Sequence, residues 1–317
     1  MKSQTLLVCA AVTLLAAAPA AAKPYLYMIT SVPNSMLTTI FDINDHGVAT
    51  GSWYEANGIE HGYFGPPNGS NYQEFDDQTD PGTEPRGIDN GGDIVGFDNS
   101  QSGSNESYIP FERTADGTIT NVTKAGAPLN SLAQGINRKG VFAGSYVNTN
   151  LQFVGYLGRS GKYTGAIKLK GLKTAGIAGR GIDGAGDIVG WYYDTGGVQH
   201  GFYLPHGGSP QTVDYGEKKA VSTVLEGLND EGVATGQYTD TLGNIHGFTY
   251  DVSTKTFHGI RVPGAATFVQ PWGINDKGWI ALGSDVGYFV YCPSLKNCVG
   301  EPAAYRPPMQ KLHPLAP

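Results

Sequence analysis

One phrase recurs six times along this chain. It reads Asp42-Ile43-Asn44-Asp45-His46-Gly47, Gly87-Ile88-Asp89-Asn90-Gly91-Gly92, Gly135-Ile136-Asn137-Arg138-Lys139-Gly140, Gly181-Ile182-Asp183-Gly184-Ala185-Gly186, Gly227-Leu228-Asn229-Asp230-Glu231-Gly232 and Gly273-Ile274-Asn275-Asp276-Lys277-Gly278. The aliphatic within it falls at positions 43, 88, 136, 182, 228 and 274, so the spacings are 45, 48, 46, 46 and 46. A steady period in the forties with strand-like content marks propeller blades, each a small sheet that must stack on its neighbours to bury its faces. The reading is all-β: a six-bladed β-propeller of four-stranded blades over residues 23–300.

Each repeat divides into four short strands. The first ends at the phrase, whose Asn or Asp, two residues, then Gly make a hairpin turn with Gly at positive φ. A second strand follows, as in Asp187 to Tyr192, then a polar loop, a third strand (His200 to Tyr203) and a fourth (Gln211 to Asp214). With 46 Gly in 317 residues and no helical periodicity, many tight turns are expected rather than long helices. The sixth repeat lacks a clear fourth strand. The stretch Tyr25 to Val32 precedes the first repeat and reads like one. It is expected to pair with the third strand of the last blade and close the ring. Cys292 and Cys298 would then form a disulfide beside that seam, zinc being a poor alternative for two thiolates without an adjacent His.

Composition narrows the partners. Lys and Arg total 21 against 28 Asp and Glu, a net charge of −7, which argues against a nucleic-acid protein. Residues 1–22 have the pattern of a secretory signal peptide: Lys2, an apolar run from Leu6 to Ala18, and Ala20-Ala21-Ala22 before Lys23. No later stretch has membrane-spanning length. Residues 301–317 read as a loose Pro-rich tail. The expected location is extracellular or periplasmic after cleavage near Ala22. The sequence does not fix the oligomeric state.

The phrase, followed by Val-x-Gly and then by His61-Gly62-Tyr63, His200-Gly201-Phe202 or His246-Gly247-Phe248, resembles the HAF-repeat extracellular proteins of bacteria. Gly stands for the middle Ala of that motif in all three, and the second, third and sixth blades lack the His. The resemblance covers nearly the whole chain after residue 22. It implies secretion and a propeller-like repeat fold, and it implies no reaction.

The repeat also separates scaffold from candidate site, because positions constant between blades serve the blade. Two residues before the key aliphatic the series is Phe41, Arg86, Gln134, Arg180, Glu226 and Trp272. This column is expected at the start of the innermost strand, gathered at the mouth of the central channel beside the strand two–three loops. As a ligand funnel, Arg86 and Arg180 would grip a carboxylate or sulfate, Trp272 and Phe41 would stack on a sugar face, and Gln134 would orient the ligand. In the alternative, Glu226 pairs with an Arg and plugs the channel.

Three blades place an acid six residues before a His: Glu55/His61, Asp194/His200 and Asp240/His246. These read as loop locks rather than acid–base pairs, since they repeat. Asp89/Asp93 and Asp183/Asp187 resemble calcium loops but lack the alternating acids and closing Glu of one. They read as turn residues capping local N–H groups, so no cofactor is expected and calcium is the alternative. No nucleophile elbow or phosphate loop is present. The expected function is a secreted binding module for an extracellular glycan or surface ligand. The rival is a polysaccharide lyase or hydrolase on an acidic polymer, with Glu226 as acid or base.

Overall fold

The computed structural model describes residues 24–77, 82–100, 107–122, 130–216, 220–293 and 298. The expected signal segment and tail, and most of the 99–107 loop, lie outside these. Blade four shows the plan: Thr174–Ile182, Ile188–Asp194, Gln199–Leu204 and Gln211–Val213 pair antiparallel in sequence order. Blades two, three and five repeat it, with first strands Thr83–Ile88, Ser131–Ile136 and Ala220–Leu228. In blade six, Val269–Ile274, Ile280–Ser284 and Gly287–Cys292 are joined by Tyr25–Met28 as the outermost strand, with Tyr25 opposite Cys292 and Met28 opposite Phe289. The first strands touch one another in turn round the molecule, and that of blade six meets that of blade one. The protein is a six-bladed β-propeller closed by its N-terminal strand.

The disulfide between Cys292 and Cys298 is present. Both cysteines are buried with Ile29, Ile40 and Trp279, so the bond lies in the core beside the seam.

Two glycine columns make the blades possible. On strand two, Gly51, Gly96, Gly144, Gly190, Gly236 and Gly283 each stand opposite an aromatic residue of strand three: Tyr63, Phe111, Tyr156, Phe202, Phe248 and Tyr288. At Gly96, Gly144, Gly190 and Gly236 the ring lies where a Cβ would be, 2.7–3.0 Å from it. The aromatic ring thus covers the bare backbone and fills the space between blades. In the turn that ends strand one, Gly47, Gly92, Gly140, Gly186, Gly232 and Gly278 all have φ between 68° and 96°, as the hairpin requires.

One feature of every blade is not legible in the spacing. Beside the recurring phrase, the first strand carries one residue more than its partner. Pro85 faces Gly96 while Gly87 faces Val95, leaving Arg86 unpaired. Gln134 and Arg180 are skipped in the same way. In blades five and six the irregularity spans Glu226-Gly227 and Trp272-Gly273. Blade one goes further, and its first strand splits into Leu37–Thr38 and Asp42–Ile43 with Phe41 in the gap.

Candidate functional site at the hub

The variable column is therefore the bulge column. A β-bulge turns a side chain out of the regular alternation, which is how six unlike residues come to face the axis. All six, Phe41, Arg86, Gln134, Arg180, Glu226 and Trp272, line one central cavity of about 110 Å³. Its wall continues along the phrase to Asp45, Asn90, Arg138, Gly184, Asp230 and Asp276.

This corrects two expectations. The column lies towards the end of strand one, not its start: Arg180 is seventh in Thr174–Ile182, and Arg86 fourth in Thr83–Ile88. The cavity runs from the bulges towards the Asn/Asp turns, away from the strand two–three loops, which therefore do not form its rim. The column stands two residues before the aliphatic that ends the strand, so its place follows from the phrase itself, and the bulge sets only which way the side chains face.

Several of the six are engaged with one another. The Arg86 guanidinium lies 4.1 Å from the Phe41 ring centroid, and its Nη2 is 2.5 Å from Glu84 Oε1. Phe41 and Trp272 meet edge to face at 5.1 Å, and Trp272 is parallel to Tyr288 at 6.1 Å. So Phe41 is not a free stacking platform; one face of it carries Arg86. Glu226 Oε2 stands 3.6 Å from Arg180 Nε, beyond hydrogen-bond distance, and Gln270 Nε2 donates to Glu226 Oε1 at 3.5 Å.

Three of the six, Gln134, Arg180 and Arg86, keep a donor without a hydrogen-bond partner among the described residues, although Arg86 is held by Glu84. Gln134 is only 7% exposed, and its Nε2 has no hydrogen-bond partner among the described residues. Arg180 Nε likewise has none, and the looser ion pair to Glu226 is that guanidinium's one charged contact among the described residues. A buried amide is normally satisfied, and leaving one unpaired costs about 1–3 kcal/mol.

Below the bulges, two rings of hydrogen bonds tie the blades together. In the upper ring, an Asn amide donates to the next blade's backbone carbonyl: Asn44 to Asp89 O at 3.0 Å, Asn137 to Asp183 O at 2.7 Å, Asn229 to Asn275 O at 2.9 Å, and Asn275 to Asn44 O at 3.0 Å. Asp89 and Asp183 hold the same position without an NH₂ and make no such link. In the lower ring, the N–H of Asp45, Gly184, Asp230 and Asp276 donates to the side-chain oxygen of Asn90, Asp230, Asp276 and Asp45 respectively. Arg138 reaches past blade four to Asp230, through the space left by Gly184, where a Cβ would lie 2.7 Å from the guanidinium carbon.

The Asp turns behave as capping residues. Asp89 Oδ1 accepts N–H bonds from Gly91 and Asp93, and Asp183 Oδ1 from Gly186 and Asp187, while burial raises both carboxyls above the ordinary range. Among the described residues no group of three or more His, Cys, Asp or Glu is placed to hold a metal ion. The acid–His pairs form, at 3.5 Å for Glu55/His61 and Asp194/His200 and 2.9 Å for Asp240/His246. Sequence reasoning missed that Asp76 and Asp214 approach two of these rings from the other side, at 2.9 Å, and that each His lies flat on Trp53, Tyr192 or Tyr238.

Two further groups escaped the sequence. Asp42 stands where the other five blades have Gly. It is half-buried, accepts N–H bonds from Ile43 at 2.8 Å and Ile88 at 2.9 Å, and burial, with Asp45 nearby, pushes its carboxyl up to about 7. Glu60 of blade one, bonded by the Tyr54 hydroxyl at 2.8 Å, is also pushed up to about 7, by burial and then by Glu84. The break in the Gly column marked Asp42, but nothing in the pattern paired Glu60 with Glu84.

Among the described residues no helix is long and apolar enough to cross a membrane. No protein-family model and no curated protein matches the chain. Solved structures do. A nidogen/laminin complex aligns over 78% of this chain and 87% of that one, at 12% identity and a TM-score of 0.50. A variant of AofleA from Arthrobotrys oligospora covers 85% of both chains at 10% identity, also with a TM-score of 0.50. At such identities the likeness is one of fold.

Proposed function

We propose that this propeller is a binding module that works outside the cytoplasm and takes an extracellular glycan at its hub, as a member of the HAF-repeat extracellular proteins. The observation that carries the reading is the hub cavity, with the buried Gln134 amide and the Arg180 guanidinium both short of hydrogen-bond partners. Sites that recognise polar ligands present a few convergent polar groups in a mostly formed cavity. The signal-like segment and the disulfide support an oxidising location. Glu226 fits the role of an electrostatic partner for Arg180 rather than a catalytic acid, since its oxygens face Arg180 and Gln270. The test is titration with polysaccharides while following Trp fluorescence. A saturable shift with at least one glycan, lost in Trp272→Ala, is expected. No shift with any glycan would end the proposal.

A further inference from the structure

We infer that the hub takes the end group of an acidic sugar chain: one uronic-acid residue, entering from the turn side with its carboxylate first. This rests on the glycan reading above and names its ligand class.

Size sets the first limit. A cavity of about 110 Å³ corresponds to a few water volumes, so it admits the leading group of a ligand and not a polymer threaded through the disc. Phe41, Trp272 and Arg86 pack against one another along its wall. On size, then, the ligand is a chain end.

The donors set the second. Gln134 and Arg180 belong to neighbouring blades, and the two strands pack closely: a Cβ on Gly135 would lie 2.6 Å from Arg180 O. Both side chains line the cavity and carry donors without partners. A planar carboxylate accepts from a guanidinium and an amide together, which neither a hydroxyl nor an apolar group does as well. Glu226 sits 3.6 Å from Arg180, too far to satisfy the Nε–H by a hydrogen bond.

The wall supplies the third. From the bulges outward it is rich in acceptors: Asp45, Asp89, Asp183, Asp230 and Asp276. Hydroxyl groups donate to carboxylates, so a carboxylate leading and hydroxyls trailing match the order of donors and acceptors along the cavity. The collar is less repulsive than its count of acids implies. Asp230 is paired with Arg138, and Asp45 accepts bonds from Asn90 Nδ2 and the N–H of Asp276.

The test uses the full chain and isothermal titration with glucuronate, glucose and alanine. Glucuronate is expected to bind at least tenfold more tightly than glucose. Arg180→Gln and, separately, Gln134→Leu should each weaken glucuronate about tenfold or more and glucose by clearly less, in proteins whose melting temperature shows them folded. Arg180→Lys should restore part of the loss, because it keeps the charge without the fork. Equal binding of glucose and glucuronate overturns the inference, as does indifference of glucuronate to both substitutions. So does alanine binding as tightly as glucuronate, which would assign the hub to a small zwitterion. If polysaccharides quench Trp fluorescence through Trp272 while glucuronate holds no advantage, only this inference falls. If no saccharide of any kind binds, the glycan reading falls with it.

Discussion

At the scale of single residues, the upper ring of amides gives a sharp expectation. Asn44, Asn137, Asn229 and Asn275 use Oδ1 to cap their own turn and Nδ2 to hold the next blade. Asp89 and Asp183 do only the first. Asp89→Asn and Asp183→Asn keep the cap and add the missing donor, aimed at the carbonyls of Asn137 and Asn229. Each should stabilise by about 1 kcal/mol, or roughly 2–4 °C in a thermal melt of a chain this size. The gain should grow with pH. Both carboxyls are raised by burial, so the stability they contribute is present at low pH and lost as pH rises through the folded-state value, whereas an amide does not titrate. A lower melting temperature in both variants at pH 8 would refute the account. Asp42 carries a larger titration of the same sign. Its carboxyl rises from 3.8 to about 7, so its contribution is complete below about 4 and drains away as pH approaches 7. Denaturant melts between pH 5 and pH 8 should show a loss that is smaller by roughly 2–3 kcal/mol in Asp42→Asn, the loss due to Glu60 being common to both proteins.

At the scale of the strand, the glycine of the recurring phrase has a reason that the sequence did not disclose. The turn glycine was legible, because Asn/Asp-x-x-Gly specifies positive φ. The glycine before the aliphatic looked like part of the same signal, yet its φ is ordinary and its role is proximity. A Cβ on Gly181 would lie 2.8 Å from the carbonyl carbon of Gly227 and the nitrogen of Leu228 in the next blade. Gly181→Ala should cost about 1–3 kcal/mol, as overpacking does, while Gly165→Ala, where a Cβ meets nothing within 4 Å, should be neutral in the same urea titration. Equal effects would remove proximity as the explanation. The bulge was invisible for a related reason. Periodicity along one strand reports which residues alternate, but a bulge is a mismatch of count between two strands. Thus the gathering of Arg86, Gln134, Arg180 and Glu226 could be read from their column. The direction of the cavity and the Arg86–Phe41 stack could not, because these depend on how the bulge turns each side chain.

At the scale of the whole ring, closure by the N-terminal strand raises the question of where a propeller opens. The chain ends meet inside blade six, where Tyr25–Met28 pairs with Gly287–Cys292, so the seam lies there and the chain passes from blade six to blade one through residues 29–36. The junction beside that seam carries both hub links: Asn275 to Asn44 O, and the Asp276 N–H to Asp45, with Lys277 Nζ on Asp45 O at 2.7 Å as well. The disulfide and the Tyr25–Met28 pairing reinforce the same place. The junction of blades two and three has neither link. Asp89 has no amide to give, and Arg138 has no acceptor for the Asn90 N–H. At the hub, then, the junction beside the chain ends is the tighter one, and that of blades two and three is the looser. Native-state hydrogen exchange separates the two views directly. The amide protons of Asp45, Gly184, Asp230 and Asp276, each donated to a neighbouring blade, should exchange far more slowly than those of Asn90 and Arg138. Faster exchange at Asp276 than at Asn90 would mean that the ring opens at the junction beside its seam, and that the hub bonds do not govern where the disc comes apart.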